Sequence, residues 1–145
     1  MTVKVDFDRS ELAAIQKGIE NLAGVPSRAA PGVAKSIRRL IGKQFTRGRD
    51  PFGRPWAALA ASTLARGRRP PPLTDTGKMR RGIRVLPRRP SGIAIEVPGP
   101  GGFHQFGTSR MPQRQILPLQ PPVLPKAWTR AITKHTDAAF EKATG

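Results

Sequence analysis

Alternation opens the chain. Val3, Val5 and Phe7 fall on one side of a two-residue repeat and Thr2, Lys4 and Asp6 on the other, which predicts a half-buried strand. Asp8 then suits a helix N-cap, with Glu11 as its reciprocal partner three residues on. Leu12, Ile15, Ile19 and Leu22 form one stripe of the helix that follows, Gly24 ends it and Pro26 prevents re-entry. A second helix starts at Ser27 or Pro31. Its apolar face is Val33, Ile37, Leu40, Ile41 and Phe45, its other faces carry Lys35, Arg38, Arg39 and Lys43, and Gly48 terminates it.

The next stretch is written as a turn. Asp50-Pro51-Phe52-Gly53 has the residue order of type I, because Asp accepts backbone N–H groups, Pro presets the second φ and Gly tolerates the fourth position. Trp56 and Leu59 follow, spaced like neighbours on a short helical turn. A large aromatic after a polar turn pins that turn to a core, so the plain reading is an ordered loop anchored by Trp56. Residues 64–73, LARGRRPPPL, predict an exposed basic loop whose prolines favour extended polyproline geometry. Thr74 or Asp75 is then expected to cap a short turn through Met79. Ile83 and Val85, a turn over Pro87–Ser91, and Ile93, Ile95 and Val97 make an antiparallel hairpin. Residues 98–102 read as another turn, Phe103–Phe106 as a short third strand and Ile116–Leu119 as a fourth. A last helix over Leu124–Ala143 places Trp128, Ile132, His135 and Ala139 on one face, widened by Phe140. The expectation is one α+β domain over residues 1–145: a small antiparallel sheet packed against two or three helices, with long Pro/Gly-rich loops.

Charge changes this picture. The chain of 145 residues has 26 Lys and Arg against 9 Asp and Glu, a net charge of +17. Residues 35–89 concentrate it, with Asp50 and Asp75 as their only acids. Such a block implies a polyanionic partner, usually nucleic acid, or else a solvated face that maintains solubility. The basic amphipathic second helix could lie on a membrane surface, but its apolar stripe is narrow and its flanks read as globular. No apolar run approaches the roughly 20 residues that span a bilayer, and the N-terminal MTVKVDFDRS lacks the apolar region of a signal peptide.

Candidate chemistry is sparse. There is no cysteine, the two histidines form no metal-ligand pair, and no elbow motif surrounds a serine. Gly77-Lys78 lacks the glycine that a Walker loop needs, and GPGPGG lacks the spacing of a phosphate cradle. No catalytic activity, metal or cofactor is expected. His104 and Phe106 read as strand residues facing the packing side of the sheet. Arg114 is either solvated or paired with a carboxylate, which the scarcity of acids would place on another subunit.

Several segments carry a resemblance. A Phe, a polar spacer, D-P-x-G-x-x-W-x-x-L and Ser-Thr, at Phe45–Thr63, resemble the virion morphogenesis (tail completion) proteins of tailed bacteriophages. Leu73–Arg80 resembles that family's L-x-x-T-G-x-L-R segment, with Met79 for Leu. His104–Thr108 resembles H-x-x-G-T, and Met111–Leu117 resembles hydrophobic-P-x-R-x-F-L, with Ile116 in the aromatic position. Together they cover about half the chain.

The resemblance implies an α+β subunit that closes into a ring, expected as a hexamer, at the head–tail junction. It completes the tail so that it joins the DNA-filled capsid. Implied partners are further copies, head connector proteins, tail tube and terminator proteins, and genomic DNA passing non-specifically, with no membrane. The implied location is the neck or tail of the virion, and the host cytoplasm during assembly. Lys35, Arg38, Arg39, Lys43, Arg66, Arg68, Arg69, Arg80 and Arg81 would face DNA, contacting phosphates without reading bases. Asp50, Phe52, Trp56, His104, Phe106 and Arg114 would lie at subunit or partner contacts. Other readings are a tail terminator capping the tube, a free-standing non-specific nucleic-acid-binding protein, which is poor in stacking aromatics, and a small hydrolase, which lacks clustered carboxylates.

Overall fold

The computed structural model describes residues 2–6, 25–74, 76–88, 92–118 and 124–144. Its elements are β1 (Thr2–Asp6), α1 (Val25–Arg47), α2 (Ala61–Ala65), α3 (Lys78–Gly82), β2 (Arg84–Arg88), β3 (Gly92–Glu96), α4 (Gly101–Phe106) and α5 (Lys126–Thr144). This is a small α+β fold. The expected helix between Asp8 and Gly24, with its capping box, lies outside the described residues. The chain divides into two compact units. One gathers Arg39–Ile83 and Val97–Pro125, and the other gathers Thr2–Arg38, Arg84–Glu96 and Lys126–Gly145.

The second of these units holds the sheet. Its strand order is β1-β3-β2, antiparallel throughout, with Ile95 opposite Val3 on one side and Val85 on the other. The central strand carries the burial: Ile93 and Ile95 are fully enclosed. Pro87, which cannot donate to a ladder, sits in the edge strand β2 where that lack is tolerated. The Arg84–Glu96 pair across β2 and β3 is 3.5 Å long and exposed, so it adds little. Helix α5 buries Trp128, Ile132, Thr136 and Ala139, at spacings of one turn. It meets the early part of α1 through Ser36 and His135, whose Oγ and Nε2 are 2.8 Å apart. Gly32 makes room for that imidazole, since a Cβ there would collide with Nδ1.

Helix α1 begins earlier than expected. Pro31 lies inside it rather than at its start, because buried Ala29, Ala30 and Val33 anchor the preceding turns despite the missing N–H. Gly48, at φ 63°, ends it in the left-handed conformation that a helix stop requires.

In the first unit Ile41, Phe45, Trp56, Ile83, Val97, Ile116 and Leu117 are buried. The Asp50 turn forms as expected: Gly53 N donates to Asp50 O at 3.0 Å, and Asp50 Oδ1 accepts from Phe52 N and Arg54 N. Trp56 stacks edge-on against Phe45, with centroids 5.3 Å apart, and its Nε1 donates to Gln115 O at 2.7 Å.

Several expectations fail here. Residues 56–60 are irregular, not a helical turn, and α2 starts at Ala61 and takes in the first two residues of the expected 64–73 loop. That loop is exposed from Arg66 to Pro70, but Pro72 is buried and Leu73 takes a φ of 67°, so the stretch is anchored at its far end and is not a uniform polyproline rod. Thr74 does not cap α3. Gly77 holds the N-cap position, Thr76 Oγ1 accepts from Lys78 N, and Asp75 lies outside the described residues. The expected strand Phe103–Phe106 is the helix α4. Pro98 and Pro100 supply carbonyls to Gly101 N, Phe103 N and His104 N, and Gly101 fits against Val97, where no Cβ has room. Ile116–Pro118 is not a strand either, because the side chain of Gln105 takes the backbone groups a neighbouring strand would have used.

Candidate functional site

A cavity of about 700 Å³ opens within the first unit. Segments far apart in sequence build its wall: Ala58–Ala60 after the Asp50 turn, the Arg66–Leu73 loop, Thr76–Met79 at the start of α3, and His104 with Arg110–Arg114.

Arg114 ties these segments together. Its Nε donates to Ala57 O at 2.7 Å and its Nη2 to Ala58 O at 2.9 Å. Its own backbone N donates to His104 O at 2.7 Å. The residue is only 8% exposed, and burial lowers its pKa, although a guanidinium stays cationic. It is therefore not an ordinary solvated side chain, and no carboxylate among the described residues pairs with it. Two main-chain carbonyls hold it, and their fixed spacing matches the planar donor fork of Arg.

Beside it, Gly107 adopts φ 73°, and a Cβ there would stand 2.9 Å from Gln113 N. That close approach lets Thr108 and Met111 exchange backbone hydrogen bonds, which folds the H-x-x-G-T segment onto the segment containing Arg114. Burial first, and then the charge of Arg114, hold the His104 imidazole below its ordinary pKa of 6.5. Its Nδ1 is buried with no hydrogen-bond partner among the described residues.

The electrostatics of the cavity have one sign. Arg66, Arg68, Arg69, Lys78, Arg110 and Arg114 line it, and no carboxylate does among the described residues. Between the cations the surface is apolar, supplied by Leu59, Leu73, Met79, Met111 and several prolines. Such a lining presents a positive field to whatever enters it. Among the described residues no three His, Asp or Glu side chains are grouped to hold a metal ion.

Not all of the residues singled out by charge meet here. Arg66, Arg68 and Arg69 do. Arg80 lies along α1, where a Cβ on Gly42 would be 3.3 Å from its Nη2, and Arg81 donates to Thr76 O at 3.1 Å. Lys35, Arg38, Arg39 and Lys43 are exposed on α1 and do not line the cavity.

The expected contact residues also separate. Asp50, Trp56 and Arg114 are buried and bonded inside the subunit. Phe52 is half-buried, with the Arg54 guanidinium 5.9 Å from its ring centroid. Phe106 is 64% exposed and Phe103 61%, on the same face of α4. Lys78, which lies within the Leu73–Arg80 segment, also lines the site, and so does Arg110, which was not expected in it. The signal for Arg110 was adjacency to the motif residue Met111.

No family model matches the chain, and no curated protein or solved structure matches it.

Proposed function

We propose that the protein is a structural component of a tailed-phage virion, a tail completion protein that closes into a ring at the head–tail junction. One observation carries this reading: the four segments that resemble that family converge in three dimensions. Trp56 of the first segment bonds to Gln115 of the fourth, and Arg114 of the fourth bonds to Ala57 and Ala58 of the first and to His104 of the third. Thr76–Met79 of the second shares their cavity.

The work of such a protein is contact. Ring closure uses one patch of a subunit against a different patch of the next, and exposed Phe103 and Phe106 are suited to such a patch. The cations on α1, Lys35, Arg39 and Lys43, recur every four residues and form a stripe. A stripe of this kind along a genome path meets phosphates without selecting sequence.

The test is the assembly state. Gel filtration and negative-stain microscopy over a range of concentrations should show closed rings of uniform diameter. A monomer at every concentration that coats DNA would instead make this a non-specific nucleic-acid-binding protein.

A further inference from the structure

We propose that the cavity between the Arg66–Leu73 loop and Arg114 is a docking site for an acidic polypeptide segment of a partner protein, one that alternates carboxylates with aliphatic side chains. The inference goes beyond ring formation and does not require it.

Three observations point to that occupant. The first is charge. The first unit's sequence contains thirteen Lys and Arg and two Asp between Arg39–Ile83 and Val97–Pro125. Asp50 is consumed by its own turn, and Asp75 lies outside the described residues. Arg66, Arg69, Lys78 and Arg110 are exposed at the cavity with no ion pair to a described carboxylate. An incoming carboxylate meets several cations at once, in a concavity that focuses their field.

The second observation is the apolar floor. Leu59, Leu73, Met79 and Met111 are half-buried there, so each still presents surface to an occupant. Methionine adapts to irregular aliphatic shapes, and this pair suits a peptide more than a rigid ring. A volume of about 700 Å³ accommodates a few side chains but not a duplex.

The third observation is what the lining lacks. None of its described residues is Phe, Tyr or Trp, so unstacked bases would find no platform. Duplex DNA presents a convex ridge of phosphates and would engage exposed basic faces such as α1 rather than enter a cavity. Pre-set backbone adds to the fit. Arg114 and Gly107 brace the wall, so little ordering is required of it on binding.

The experiment uses the whole chain and a short fluorescein-labelled peptide of alternating glutamate and leucine. Binding is read by anisotropy against R66Q/R69Q/R110Q at the cavity and R38Q/R39Q/K43Q on α1, which remove equal charge from exposed positions. The cavity variant should weaken binding by roughly tenfold or more, and the α1 variant by less than about twofold. A peptide with serine for leucine should also bind roughly tenfold more weakly. Lys78→Glu offers a second, single-site version of the cavity test.

Equal losses from both triple variants would show attraction by net charge alone and overturn the proposal. So would displacement of the peptide by a short DNA duplex whose own affinity falls with the cavity variant but not with the α1 variant. A protein that binds the peptide yet never forms rings retains this site and discards the ring. Rings that ignore the peptide do the reverse.

Discussion

Gln105 closes on Leu117 from both ends of its amide: Nε2 donates to Leu117 O at 2.7 Å, and Oε1 accepts from Leu117 N at 2.8 Å. The same Oε1 also accepts from Ile116 N. One side chain on a short helix thus does for an irregular segment what a neighbouring strand would do. Gln105→Leu keeps the approximate volume and orphans two buried backbone N–H groups, those of Ile116 and Leu117, while Leu117 O keeps its bond from Gln115 Nε2. It should destabilise by about 2–4 kcal/mol, from ~1–3 kcal/mol for each unsatisfied group after partial relaxation. Urea unfolding measures this. A loss comparable to that of an ordinary surface substitution would mean that water or backbone movement replaces the amide.

Trp56→Ala removes the edge-on contact with Phe45 and the bond to Gln115 O together. The expected loss is about 3–5 kcal/mol. Trp56→Phe keeps most of the packing and loses the hydrogen bond, so it should fall well short of that. Equal melting temperatures for Trp56→Ala and the parent would refute the anchoring role.

Stability should fall on mild acidification. Both histidines are held below 6.5, His104 by burial and then Arg114, His135 by burial and then Lys134. Between its folded pKa and 6.5, each imidazole is protonated more in the unfolded chain than in the folded one. The stability present above 6.5 is therefore lost as pH drops through that window. Urea midpoints followed from about pH 8 to about pH 5 should decline, and less steeply in His104→Gln and in His135→Gln. Parallel curves for all three proteins would exclude this linkage.

The α1 cations have their own measurement. Each phosphate neutralised contributes about −0.9 to the slope of log K against log salt. Replacing Arg38, Arg39 and Lys43 by Gln should flatten that slope for any DNA sequence and leave thermal stability nearly unchanged, since all three are exposed. Unaltered DNA binding together with failed ring assembly would assign the stripe to a protein neighbour instead.

Periodicity made some of the fold legible. Ile93 and Ile95 alternate on a strand paired on both sides, and Trp128, Ile132 and Ala139 repeat on a buried stripe, so β3 and α5 stood where expected. The Asp50 turn was legible because its chemistry is local. The segment Phe103–Phe106 misled because its aromatics suggest a strand. They are in fact exposed, and the polar Gln105 is the buried residue. Nothing in the spacing of polar residues announces that a glutamine will serve as a backbone surrogate. The basic loop was legible as charge. The cavity it borders was not, because that depends on Arg114 finding two carbonyls 56 and 57 residues earlier in the chain.

The placement of the two indoles has an optical consequence. Trp56 belongs to the first unit and Trp128 to the second, both are buried, and the chain contains no tyrosine. Each unit thus carries a single native fluorophore, with no tyrosine emission to correct for. In Trp56→Phe the red shift on denaturation reports the sheet-bearing unit, and in Trp128→Phe it reports the unit with the cavity. Comparing the two transitions tells whether the halves of this chain melt as one cooperative body or in sequence.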